Sequence, residues 1–160
     1  MSAMRKVGDW ARVKLLIRNI GGEMRKARHD SLVRVASKVE AIAVSHITLQ
    51  DLPWKRLKPA TVSAKIRKGE SENILVATST YFQSITSYVD KDTAYVGVKK
   101  GVRYNDGKEI ADIARLHEYG SRSGAVPARK LWRPSLEEGM EWAAKNANPV
   151  DLFLQRMKKY

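Results

Sequence analysis

Apolar residues at Trp10, Val13, Leu16, Ile17 and Ile20 recur at three- and four-residue steps, which predicts an amphipathic helix with Asp9 as its N-cap. Gly21-Gly22 predicts a turn or kink after it. Beyond the glycines, Leu32, Val35, Ala36, Val39, Ile42, Ala43 and His46 form a nearly continuous stripe. Arg28, Arg34, Lys38 and Glu40 mostly fall away from that stripe. The pattern predicts one long helix over residues 23–49, roughly 40 Å at 1.5 Å per residue, with its stripe packed on the protein's own sheet.

The middle of the chain changes period. Residues 50–59, with Pro53 and Pro59, read as a loop, and Pro59 suits the first turn of a helix over residues 61–68 that Gly69 stops. A helical turn near residues 78–83 leads into a strand at 84–89. Asp90-Lys91-Asp92-Thr93 is a polar turn, and the alternation in Ala94-Tyr95-Val96-Gly97-Val98 completes a β-hairpin. Asn105-Asp106-Gly107 marks a further turn within residues 104–108. Helical spacing returns at residues 109–119, with Ile110, Ile113, Ala114 and His117 on one face and Gly120 as the stop. Residues 120–128 are an exposed, flexible loop by composition. Pro134 is expected to begin a helix reaching about Ala147, and Asn148-Pro149 to break it. A last amphipathic turn or two, carrying Val150, Phe153, Leu154 and Met157, is expected at the end.

This order predicts an α+β class: long N-terminal helices packed on a small antiparallel β-sheet, with C-terminal helices. The length of 160 residues favours a single domain over residues 1–160. Within it, residues 1–50 are the helical segment, 51–148 the α+β core and 149–160 the C-terminal helical tail. No apolar stretch is long enough to cross a membrane, and the N-terminus lacks a secretory pattern. The absence of cysteine excludes disulfides, thiol catalysis and cysteine metal sites.

Net charge is +13, and it is uneven. Residues 1–68 hold sixteen Lys/Arg against five Asp/Glu, and residues 69–160 fourteen against twelve. The first half is therefore suited to an acidic partner or nucleic acid. Candidate enzyme chemistry is thin. His117-Glu118 has no second histidine four residues on, His29 and His46 are distant in sequence, and no glycine-rich phosphate loop exists. Ser121 and Ser123 lack a nucleophile elbow, and adjacent Glu137 and Glu138 diverge on a helix. The expectation is no catalytic residue, no metal and no cofactor, with His117 a satisfied core or hinge histidine.

Three stretches follow in one order. The first is Trp54-Lys55-Arg56-Leu57-Lys58-Pro59-Ala60-Thr61, with Lys65 and Gly69 beyond it. The second runs from Ile74-Leu75-Val76-Ala77-Thr78-Ser79-Thr80-Tyr81 through Phe82-Gln83-Ser84-Ile85 to Tyr95-Val96-Gly97. The third is Leu116-His117-Glu118-Tyr119-Gly120, a loop, then Val126-Pro127-Ala128-Arg129-Lys130-Leu131-Trp132-Arg133-Pro134. Together, over roughly residues 54–138, they resemble the tail-completion and virion-morphogenesis family of tailed bacteriophages, whose members act at the head–tail junction or neck. Ser79 stands where that family usually has glycine, and Lys130-Leu131 where it has proline-phenylalanine.

The resemblance implies a single tail-completion or neck domain and a non-enzymatic structural protein of the virion, assembled in the host cytoplasm. It implies a homo-oligomeric ring, a hexamer, around the DNA path, touching neighbouring neck, tail-terminator or tail-tube proteins and, non-specifically, DNA. A basic, sequence-independent nucleic-acid-binding module is the alternative. Arg122, Arg129, Lys130 and Arg133 give residues 120–134 four positive charges and no acid, and with Trp132 they form the expected assembly interface. Trp54, His117 and Gly120 are the expected structural anchors.

Overall fold

Asp9 opens the first helix as expected: its Oδ1 accepts the Arg12 N–H at 3.0 Å. In the computed structural model, which describes residues 8–104 and 106–160, that helix, α1, runs unbroken from Trp10 to Leu49, about 60 Å. The helix runs through Gly21-Gly22, so the expected interruption is not a turn. Two helical glycines cost about 1 kcal/mol each against alanine, and tertiary contacts immediately after them offset that. Glu23, next in the chain, is buried and receives Lys26, Arg156, Lys159 and the Tyr160 hydroxyl. The Lys159 hydrogen bond, aided by Lys26, holds the Glu23 carboxyl down at about 2 against the opposing effect of burial. Arg156 also reaches Asp30. The C-terminus is thereby fastened to α1.

Past Leu49 the chain folds α2 (Pro59–Arg67), α3 (Thr80–Gln83), β1 (Ile85–Asp90), β2 (Thr93–Val98), α4 (Ile110–Tyr119), α5 (Trp132–Asn146) and α6 (Pro149–Met157). The class is α+β. The expected hairpin forms with Ile85 opposite Val98 and Asp90 opposite Thr93. Its loop is only Lys91-Asp92, with Lys91 at φ 51°, so Asp90 and Thr93 belong to the strands. Tyr88 and Tyr95 stack across them at 4.8 Å. The turn expected over residues 104–108 includes Asn105, which lies outside the described residues, as does the stretch 1–7.

The hairpin, α5 and α6 all pack on α1. Ala43 and Ile47 of α1 join Tyr81, Ile85, Ile110, Ala114 and Leu131 in the core, with Trp54, Phe82, Val98 and Trp132 around them. Glu40, expected to point away, is half-buried and accepts the Ser87 hydroxyl of β1 at 2.5 Å. Arg28 pairs with Asp92 in the hairpin loop, and the Lys38 ammonium lies 5.7 Å from the Trp142 ring centre. The hairpin and α5 therefore draw parts of the polar face into contact.

One boundary and one buried face near the C-terminus differ from expectation. α5 begins at Trp132, two residues before Pro134, because proline is tolerated anywhere its missing N–H would be unpaired in the first turn. In α6, Leu152 is buried while Val150 and Leu154 are exposed, against expectation. The Arg156 contacts to Glu23 and Asp30 set that rotation.

α1 and α5 approach closely at Gly139, where an added Cβ would overlap Val39 Cγ2. Gly139→Ala is expected to destabilise by about 1–3 kcal/mol through overpacking, more than the helix propensity it gains. Urea denaturation checks this; a stabilised variant would show that the helices separate freely.

Candidate assembly site

α4 buries Ile110 and Ala114 in the core and ends at Gly120, whose N–H donates to the Leu116 carbonyl at 2.8 Å. Gly120 has φ 78°, and a Cβ there would lie 3.0 Å from both the Val126 oxygen and the Ala128 nitrogen. The close return of the chain requires glycine at this position.

The loop that follows is tied rather than loose. The Ser121 N–H donates to the Val126 carbonyl, and the Ser121 hydroxyl accepts the Val126 N–H, each at 2.9 Å. The Arg129 N–H donates to the His117 carbonyl at 2.6 Å. Glu118 Oε2 accepts the N–H groups of Leu131 at 2.8 Å and Trp132 at 3.3 Å. A carboxylate from the preceding helix thus satisfies donors at the start of α5 and complements its positive end.

Residues 54–55 close the base of the loop. The Trp54 indole N–H donates to the Lys130 carbonyl at 2.9 Å. The Arg129 guanidinium donates through Nε at 3.4 Å and Nη2 at 3.3 Å to the Lys55 carbonyl. Trp54 and Trp132 are both half-buried against the core. Arg129, expected on an exposed interface, is 5% exposed. It is corrected here to a structural residue, placed inside because the loop folds back against the 54–55 segment.

Arg129 lines a cleft of about 160 Å³ with Lys65, Tyr81, Tyr104 and His117. Burial lowers the Arg129 pKa. Burial, then the Arg129 charge, pushes His117 down to about 4, so its ring is neutral at pH 7. His117 Nδ1 is buried without a hydrogen-bond partner among the described residues. The expected satisfied histidine is therefore corrected: at Nδ1 the ring is unsatisfied, because burial removes water and no group among the described residues meets it in hydrogen-bonding geometry. Lys65 is lowered mainly by burial, and its ammonium donates to the carbonyls of Asn73 at 2.7 Å and Val76 at 2.8 Å. Nearby, Ser79 adopts φ 63°, ψ −12°, a left-handed geometry that glycine favours.

His117 makes stability pH-dependent. Its folded pKa lies below the unfolded value of 6.5, so the unfolded chain binds the proton more readily. This contribution is fully present above about pH 6.5 and is lost as pH falls toward 4. Melting temperature is expected to drop over that interval, and His117→Gln to flatten the drop. An unchanged slope in the variant would assign the acid sensitivity elsewhere.

What faces outward is narrower than the sequence suggested. Arg122, Lys130 and Arg133 are exposed, and Arg133 pairs with Glu137 at 2.8 Å one turn on. Tyr119 is 77% exposed, and Leu116, Leu136 and Met140 are exposed as well. Among the described residues no cluster of three or more His, Asp or Glu is arranged to hold a metal. Sequence reasoning missed Glu118 and Lys65 as positioning residues. Glu118 is thirteen positions from the N–H it satisfies, and no local pattern signals such a contact. Comparison with protein-family models, curated proteins and solved structures returned no match.

Proposed function

We propose that the protein is a non-enzymatic structural component of a tailed-bacteriophage virion, acting in tail completion or at the head–tail junction as part of a ring around the DNA path. The observation that carries this reading is the surface at the α4–α5 junction. A firmly anchored loop holds Arg122, Lys130 and Arg133 outward beside an exposed Tyr119, a combination suited to pairing with an acidic neighbouring subunit. The motif stretches of the resemblance also pack together, through Trp54 to Lys130, Arg129 to Lys55 and Lys65 to Val76.

Deleting the gene from its phage tests this proposal. Filled heads and separate tails should accumulate, and a plasmid copy should restore joined particles; normal infectious particles without the protein would refute it. A second reading, a sequence-independent nucleic-acid module, draws on the basic first half. Gel-shift titrations at two salt concentrations separate the two, since phosphate-driven binding weakens steeply with salt.

A further inference from the structure

On α1, Trp10, Val13, Ile17, Ile20 and Met24 follow one another at steps of three, four, three and four. This is the a/d spacing of a coiled-coil seam, and all five side chains are 41–65% exposed. The same spacing continues to Ala27 and Ser31, which are buried; the Ser31 hydroxyl donates to the Ala147 carbonyl at 2.5 Å. One seam is therefore covered by this chain at its C-terminal end and uncovered over its first four turns. We propose that the uncovered stretch docks an acidic amphipathic helix of a different protein.

The flanks of the seam identify the occupant. On one side Lys14 stands at a flanking e position, with Arg18 and Arg25 one row further out at b; none of the three makes an ion pair among the described residues, and Arg28, the next e cation, sits on Asp92. On the other, Arg12 and Glu23 are engaged by this chain's own Arg156, Lys159 and Tyr160. A second copy fits poorly in either direction. Antiparallel pairing sets the Lys14 and Arg28 flank against itself, and parallel pairing brings it against the side filled by the C-terminal residues. A lipid surface needs a broader apolar face than this one, which is three positions in seven where Leu16 joins the seam. A helix with an apolar stripe bordered by Asp and Glu meets both the seam and its free cations. The site lies about 40 Å along α1 from the core end of that helix and stands independently of the proposed assembly role.

The test uses the full chain and two synthetic peptides of roughly three heptads, leucine at a and d, with Glu or Lys at the flanking e and g positions. Fluorescence anisotropy should show the Glu peptide binding at least about ten-fold more tightly than the Lys peptide. The double variant Ile17→Ser with Ile20→Ser should weaken it by about 100-fold, while circular dichroism and melting temperature stay unchanged because both side chains are exposed. Lys14→Glu with Arg18→Glu, which reverses the free e-position charge and its neighbour, should abolish the preference for the Glu peptide. Equal binding of the two peptides, or full binding by the Ser variant, would overturn the proposal. So would a dimer of the chain alone that the Ser variant dissolves, or stronger attachment to phosphatidylglycerol vesicles than to the Glu peptide.

Discussion

Arg129→Glu is expected to lose at least about 3 kcal/mol of folding stability, while Arg133→Glu, one turn along the chain, changes it by about 0.5 kcal/mol or less. The difference lies in what each guanidinium touches. Arg129 is buried and donates to the Lys55 carbonyl, so a carboxylate there would face an acceptor with no water to solvate it. Arg133 is exposed at the start of α5, where a negative charge suits the helix dipole and offsets the lost pair with Glu137. Arg129→Met keeps the apolar stem and should fall between, at about 1–2 kcal/mol. Urea unfolding of the three variants checks the order. Equal effects of the two charge reversals would mean that the 120–134 loop is not anchored at its base.

The double variant Arg122→Glu with Arg133→Glu should fold normally and abolish joining of heads to tails. Neither arginine supports the core, so circular dichroism and melting temperature should match the parent within a few degrees. At the proposed subunit contact, each reversal would replace attraction by repulsion, an effect of several kcal/mol per juxtaposed pair. Repeated around the proposed ring, that would leave no subunit interface intact, and infectivity should fall by several orders of magnitude. Electron microscopy of lysates should show filled heads beside unattached tails. Normal yields would reduce the three exposed cations to solvated surface.

Period and punctuation were enough to place most elements, and the failures share a cause. The hairpin, α2, α4 and the Gly120 stop were legible because alternation, proline and glycine act locally. Gly21-Gly22 misled because the force that carries α1 through them comes from Arg156 and Lys159, far away in sequence. The α6 face was misread for the same reason. In the candidate site, Trp54 and Gly120 stood out by residue type, since a large aromatic beside a loop and a glycine at a helix end have few other uses. Arg129 was misassigned because composition counts charges without saying which of them the chain folds over. Glu118 was missed because a side chain that satisfies another helix's N–H groups leaves no periodic trace.

Reconstruction of the particle's head–tail junction tests the central claim most directly. The expected result is a closed hexameric ring of this chain around the DNA path, with Arg122, Lys130, Arg133 and Tyr119 at contacts between subunits or with the adjoining ring. A single off-axis copy, or a junction that lacks the protein altogether, would contradict it.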